Sequence, residues 1–266
     1  GLTPSANAQS EAIPDCSASA GPAAPTPLPL PMTEEVSIRV NFANAIPLFP
    51  LDQVALLPQQ VLPLHIFEDR YRQMIDHALD GAGQIAMAKF DGAEWKQQYH
   101  GNPPLRPAVC IGQIVQHERL PDGRYNILLQ GVCRAQIKEM HPPTEDVQYR
   151  RAVLEPIGLD DEPDDPAERI RDWLADALTE GPLARLAAAD EMLKLVENET
   201  FPAPVVLEIV SFAMVNDDQA RYELLAEGSI KRRATLLTHH LEELSDLIDK
   251  AVQQRPGDWP KGCSWN

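Results

Sequence analysis

The chain has 266 residues, 44% of them apolar, enough to bury a sizeable core without help from disulfides. Its 23 Lys and Arg stand against 40 Asp and Glu, a formal charge of -17, so a general binder of phosphate backbones would be repelled at its own target and nucleic acid is a poor fit as partner. Cys16, Cys110, Cys133 and Cys263 form no C-x-x-C pair or zinc spacing, which reads as reduced thiols of a cytoplasmic protein, and no apolar run nears the ~20 residues that span a bilayer.

Residues 1–33 are rich in Ala, Pro and Ser, and the run Pro25-Thr26-Pro27-Leu28-Pro29-Leu30-Pro31 favours extended polyproline conformations, so this segment is expected to be a disordered tail. From Val36 the texture changes to short apolar runs punctuated by Pro and Gly, the pattern of strands and turns. Strands are predicted at Val36–Val40, Ala45–Phe49, Val54–Leu57 and Val61–Ile66, then a helix over Glu68–Leu79, where Tyr71, Met74, Ile75 and Ala78 recur at helical spacing. Further strands are predicted at Gln84–Phe90, Ala108–His117, Tyr125–Leu129, Val132–Met140 and Gln148–Ile157. Pro121-Asp122-Gly123 supplies a hairpin turn, because proline presets the first turn angle and glycine accepts positive φ.

The acidic run Asp160–Pro166 breaks this pattern. Helices are predicted beyond it at Ala167–Thr179, Leu183–Glu197, Val205–Val215, Asp217–Ala226 and Ile230–Gln253, with Asp217 as an N-cap. The expected organisation is therefore α+β: a β-rich subdomain over 36–158 with a small closed or nearly closed sheet, a helical subdomain over 166–253, and a C-terminal tail over 254–266.

Several unusual residues in fixed order carry a more specific signal. Ile46-Pro47-Leu48-Phe49-Pro50-Leu51, then Val54-Ala55-Leu56-Leu57-Pro58, then Leu62-Pro63-Leu64-His65-Ile66-Phe67-Glu68-Asp69-Arg70-Tyr71, are similar to the opening of the N-terminal domain of Lon proteases. Gly131-Val132-Cys133-Arg134-Ala135-Gln136-Ile137 resembles a strand of that domain, and Arg221-Tyr222-Glu223-Leu224-Leu225-Ala226-Glu227 with Arg232 or Arg233 resembles its closing helices. The resemblance implies a PUA-like β pseudo-barrel followed by a C-terminal helical bundle, used to engage protein substrates. No G-x-x-x-x-G-K-[ST] phosphate loop occurs in the 266 residues, and the Ser-Lys catalytic segment of Lon is absent, so ATPase and peptidase activities are not carried over and no cofactor is expected.

Candidate residues carry two readings each. Glu68, Arg70 and Tyr71 open the first helix, where they either anchor it to the sheet or meet a bound peptide. Trp95 and Tyr99, in the Gly- and Pro-flanked loop Asp91–Pro104, either cap a core or offer a binding surface. Arg134 is read as a tie between strands and Ser211 as a core residue with no base to activate it. His239 and His240 with Glu242 and Glu243 do not make a metal site, since neighbours on a helix point about 100° apart. The expected function is a non-catalytic module that holds unfolded or tagged protein segments, alone or beside a protease or chaperone. The groove between sheet and helices, or an exposed strand edge, would hold the segment. The alternatives are an RNA-associated PUA-like module and a small-molecule enzyme in the cleft between the two subdomains.

Overall fold

The structure is a computed structural model and describes residues 38–52, 54–93, 95, 96, 99, 101–158 and 165–253. The expected tails 1–33 and 254–266, and most of the acidic run, lie outside the described residues. Six strands come first: β1 (Ile46–Leu51), β2 (Val61–Ile66), β3 (Gln84–Lys89), β4 (Ala108–Arg119), β5 (Tyr125–His141) and β6 (Arg151–Pro156), with α1 (Asp69–Leu79) between β2 and β3. Five helices follow, α2 (Asp165–Glu180), α3 (Ala189–Val196), α4 (Ala203–Met214), α5 (Asp218–Ala226) and α6 (Ile230–Gln253), so the chain is α+β.

The sheet is mixed. β1 runs parallel to β3, with Leu48 opposite Ala86, and the remaining pairs are antiparallel. Because β6 pairs with both β1 and β5, the pairings run in a ring, β5-β4-β3-β1-β6 and back to β5, and β2 is attached outside it along β5. Alternation along each strand sends one set of side chains into the ring: Ile46 and Leu48, Ala86 and Ala88, Val109 and Ile111, Ala135, Ala152 and Leu154. Four of these nine are alanines, so the interior is narrow and filled. The opposite faces join a larger core that continues without interruption from Phe49, Met74 and Leu129 to Leu174, Val210, Leu237 and Leu241 in the helices.

Four expectations differ. Val54–Leu57 is not a strand; it crosses β5 as an irregular segment in which Leu56 and Leu57 are fully buried. The crossing is possible because position 131 is glycine, where a Cβ would lie 2.1 Å from the Leu57 carbonyl oxygen. The two strands expected on either side of Gly131 are consequently one, β5, with the Gly131 N–H donating to Gln60 O (2.8 Å) and Gly131 O accepting from Gln59 N–H (2.9 Å). Ile38–Val40 pairs with no strand: Arg39 O accepts from the Gln84 side chain, and Val40 packs against the ring core. The expected helix Leu183–Glu197 is split, since Pro182–Arg185 forms a 3-10 turn around the fully buried Leu183 and Leu186 is extended before α3 begins.

Other local readings hold. The turn at Pro121-Asp122-Gly123 closes β4 onto β5, with Gly123 at φ +83° and its N–H donating to Leu120 O. Asp217 caps α5, accepting from Ala220 N–H at 2.7 Å. On β2, the Gly131 bond to Gln60 fixes which backbone groups face β5, so Leu62, Leu64 and Ile66 turn theirs inward and Val61, Pro63 and His65 turn theirs to the open edge. Pro63 thus sits where no N–H is required by the sheet.

Candidate functional site

The five residues singled out from sequence, Glu68, Arg70, Tyr71, Trp95 and Tyr99, come together where the ends of β1 and β2, the start of α1 and the 91–104 loop meet. β1 and β2 deliver the chain to this end of the sheet, and Glu68 occupies the N-cap position of α1. Its carboxylate does not cap the helix: it accepts from Arg70 Nε (3.0 Å) and from the Tyr99 hydroxyl. Arg70 lies between two rings, its guanidinium carbon 4.6 Å from the Tyr71 centroid and 4.7 Å from that of Tyr99. Burial pulls the Arg70 guanidinium down while Tyr71, Glu68 and Tyr99 pull it up, and the balance lies above its ordinary value.

Trp95 stacks flat on Phe90, with centroids 4.6 Å apart and planes 2° apart, and Tyr99 meets both edge-on at 5.9 and 6.4 Å. Tyr71 meets Phe49 edge-on at 4.7 Å. These groups line a cleft of about 500 Å³, its open mouth included, whose floor is Phe49, Tyr71, Phe90 and Trp95 and whose rim carries Asp52, His65 and Phe67. Trp95 is 6% exposed and caps the Phe90 core, and it also lines the cleft. Phe67 is 41% exposed, a large apolar ring left in water beside an aromatic floor. The sequence reading passed over Phe67, Phe90 and His65. Phe67 had a signal, an apolar residue wedged between an edge strand and a helix cap, while Phe90 showed only as the end of a strand.

The expected groove between sheet and helices is not where these residues meet, because that interface is filled. Arg134 on β5 donates to both carboxylate oxygens of Glu208 on α4 (2.9 and 2.7 Å) and to Leu224 O (3.3 Å). Arg233 on α6 lies 3.3 Å from the same carboxylate and donates to Glu227 O and Gly228 O. Arg134 therefore ties the sheet to the helices rather than strand to strand, and a shared carboxylate offsets two buried cations. Ser211 is buried and donates to Leu207 O, as a core serine does. Cys110 and Cys133 sit on neighbouring strands but face opposite sides of the sheet, and burial pushes the Cys133 thiol up to about 11 and Cys110 further still. His239 and His240 both lie near Glu243, at 3.6 and 3.5 Å. Among the described residues no group of three His, Cys, Asp or Glu is disposed to hold a metal ion, and no helix is long and apolar enough to cross a membrane.

The ring-paired mixed sheet with helices packed on its outer face is similar in fold to solved Lon N-terminal domains. The fold matches the N-terminal domain of the Mycobacterium avium complex Lon protease with a TM-score of 0.57 at 19% identity, covering 75% of this chain and 99% of that one. It also matches a Lon N-terminal domain protein from Xanthomonas campestris, with a TM-score of 0.50 at 20% identity, covering 76% of this chain and 96% of that one. The family of the ATP-dependent protease La (LON) substrate-binding domain matches residues 45–243, and the chain belongs to it. Among curated proteins, the Lon protease of Trichlorobacter lovleyi is 27% identical over 211 residues, 76% of this chain and 23% of that protein. The Lon protease of Desulfosudis oleivorans is 22% identical over 223 residues, 82% of this chain and 26% of that protein. The chain thus spans about a quarter of the length of these relatives.

Proposed function

We propose that this chain is a recognition module that holds exposed apolar segments of other proteins in the cleft above Phe49, Tyr71, Phe90 and Trp95, and that its 266 residues cut nothing. The observation that carries this is the exposed Phe67 beside a preformed aromatic floor, in a member of a substrate-binding family. Glu68, Arg70 and Tyr99 hold the wall rigid, and a pre-ordered apolar pocket binds with little ordering cost. The ring of strand pairings supports reading the sheet as a PUA-like pseudo-barrel over 36–158, with the helical bundle over 166–253 buttressing it.

Strand addition at β2 is the weaker mode, because Pro63 offers no donor in the middle of the open edge. The partners are unfolded or tagged segments of cytoplasmic proteins, delivered to a protease or chaperone that supplies the chemistry. The test uses the full chain and a reduced, carboxymethylated model protein, followed by fluorescence anisotropy. The native chain should bind it, and Phe67→Ser should weaken binding by roughly tenfold with the melting temperature unchanged, as expected for one aromatic side chain no longer buried at an interface. Equal binding by Phe67→Ser, or no binding by the native chain, would sink the proposal.

A further inference from the structure

A second, shallower hollow, about 230 Å³ with the open solvent above it included, is also lined by Tyr71 and Pro50. Arg70, Arg150, Asn102 and Gln148 contribute polar groups to it, and none of the described residues lining it is acidic, although the chain as a whole carries -17. Arg150 is the unusual member. Three arginines are buried among the described residues, Arg134, Arg150 and Arg233, and two of them share Glu208. Arg150, 8% exposed, meets no carboxylate: its one hydrogen bond among the described residues runs from Nη1 to Pro103 O (2.6 Å), and its guanidinium faces the Phe90 ring at 6.0 Å. A guanidinium has five donors, so most of its capacity is unused. Among the described residues its nitrogens are not sealed from solvent without a partner, as Nε of Arg151 and Arg171 are. Burial holds the Arg150 guanidinium below its ordinary range, with Tyr71 pulling it up and the neighbouring Arg70 pulling it down.

An uncompensated cation is not kept in a protein interior for stability, since burying it without an anion opposes folding. We infer that the cavity lined by Arg150 and Arg70 is a carboxylate-binding site, which takes an acidic group of a protein segment whose apolar side chain lies in the adjoining aromatic cleft. Planar guanidinium forks match a carboxylate by paired hydrogen bonds, Asn102 and Gln148 can add amide donors, and the shared wall of Tyr71 and Pro50 places the two subsites a residue or so apart. Its position beside the cleft rests on the segment-binding reading; the anion site itself does not.

The experiment titrates the full chain with acetyl-Ala-Ala-Leu-Phe as free acid and as amide, and with acetyl-Ala-Asp-Leu-Phe-amide. In parallel, the melting temperature is compared in acetate and chloride at one ionic strength. The free acid or the aspartyl peptide should bind roughly tenfold or more tighter than the neutral amide, and Arg150→Gln should erase that advantage. Whichever of the two gains identifies a chain end or a side chain as the source of the carboxylate. Arg150→Gln should melt no lower than the native chain, because it removes a buried uncompensated charge. Should that variant fail to fold, Arg70→Gln carries the same comparison. Equal binding of all three peptides, with no acetate effect that depends on Arg150 or Arg70, overturns the inference and leaves the cleft reading intact. An Arg150-dependent acetate effect without peptide binding upholds the anion site and removes the cleft reading.

Discussion

Glu208 shows how much a single side chain can organise. It accepts two hydrogen bonds from Arg134 and faces Arg233, and all three are nearly free of solvent. Glu208→Ala would leave two guanidinium groups without a counter-charge, and a loss of about 3–5 kcal/mol is expected, read as a lower urea midpoint at unchanged m. A loss within experimental error would show that the arginines find other partners or water. Arg134 was legible as a buried tie because an arginine among apolar strand residues needs an acceptor. Its partner was not legible, since Glu208 lies 74 residues away in an apolar helix and nothing in its neighbours marks it. Arg150 was missed for the opposite reason: it precedes Arg151 at the start of a strand, and two adjacent arginines read as a solvated pair, although the structure buries the first and leaves the second partly exposed.

Turns and caps were the most legible elements, because their chemistry is local. Pro121-Asp122-Gly123 and Asp217 needed only their own neighbours to be read. The expected strands stopped short of Gly131 on either side, whereas it is the point where another stretch of backbone crosses a continuous strand. Val54–Leu57 is no strand: its bond from Gln60 N–H to Leu57 O (3.2 Å) closes a turn, and the bonds to Gly131 come from Gln59 and Gln60. Gly131→Ala would drive a methyl group into the Leu57 carbonyl, so destabilisation of about 1–3 kcal/mol by chemical denaturation is expected from the forced shift. Crystallography or amide exchange of that variant should locate the displacement in residues 54–60; a variant as stable as the native chain would mean the crossing is looser than the distance implies.

At the scale of the molecule, the progression from strands to helices and the ordered motifs of β1 and β2 were enough to place the chain in its class and family. The pairings were not, because ring closure by β6 on both β1 and β5, and the parallel β1–β3 pair, are long-range facts that no local period encodes. The acidic run was read as a boundary between two subdomains, and the outer face of the sheet and the helices share one apolar core. Unfolding in urea should therefore be a single transition, with aromatic near-UV and helical far-UV signals coincident; two resolved midpoints would show that the halves are independent. The proline at position 63 matters here for what happens between molecules. A protein that held unfolded chains, as proposed above, would risk becoming a template for fibre growth along any bare strand. Among the described residues β2 is the outer strand of this sheet, and it presents a ring where one donor would be; each molecule also carries a net -17, so geometry and charge both oppose edge-to-edge stacking.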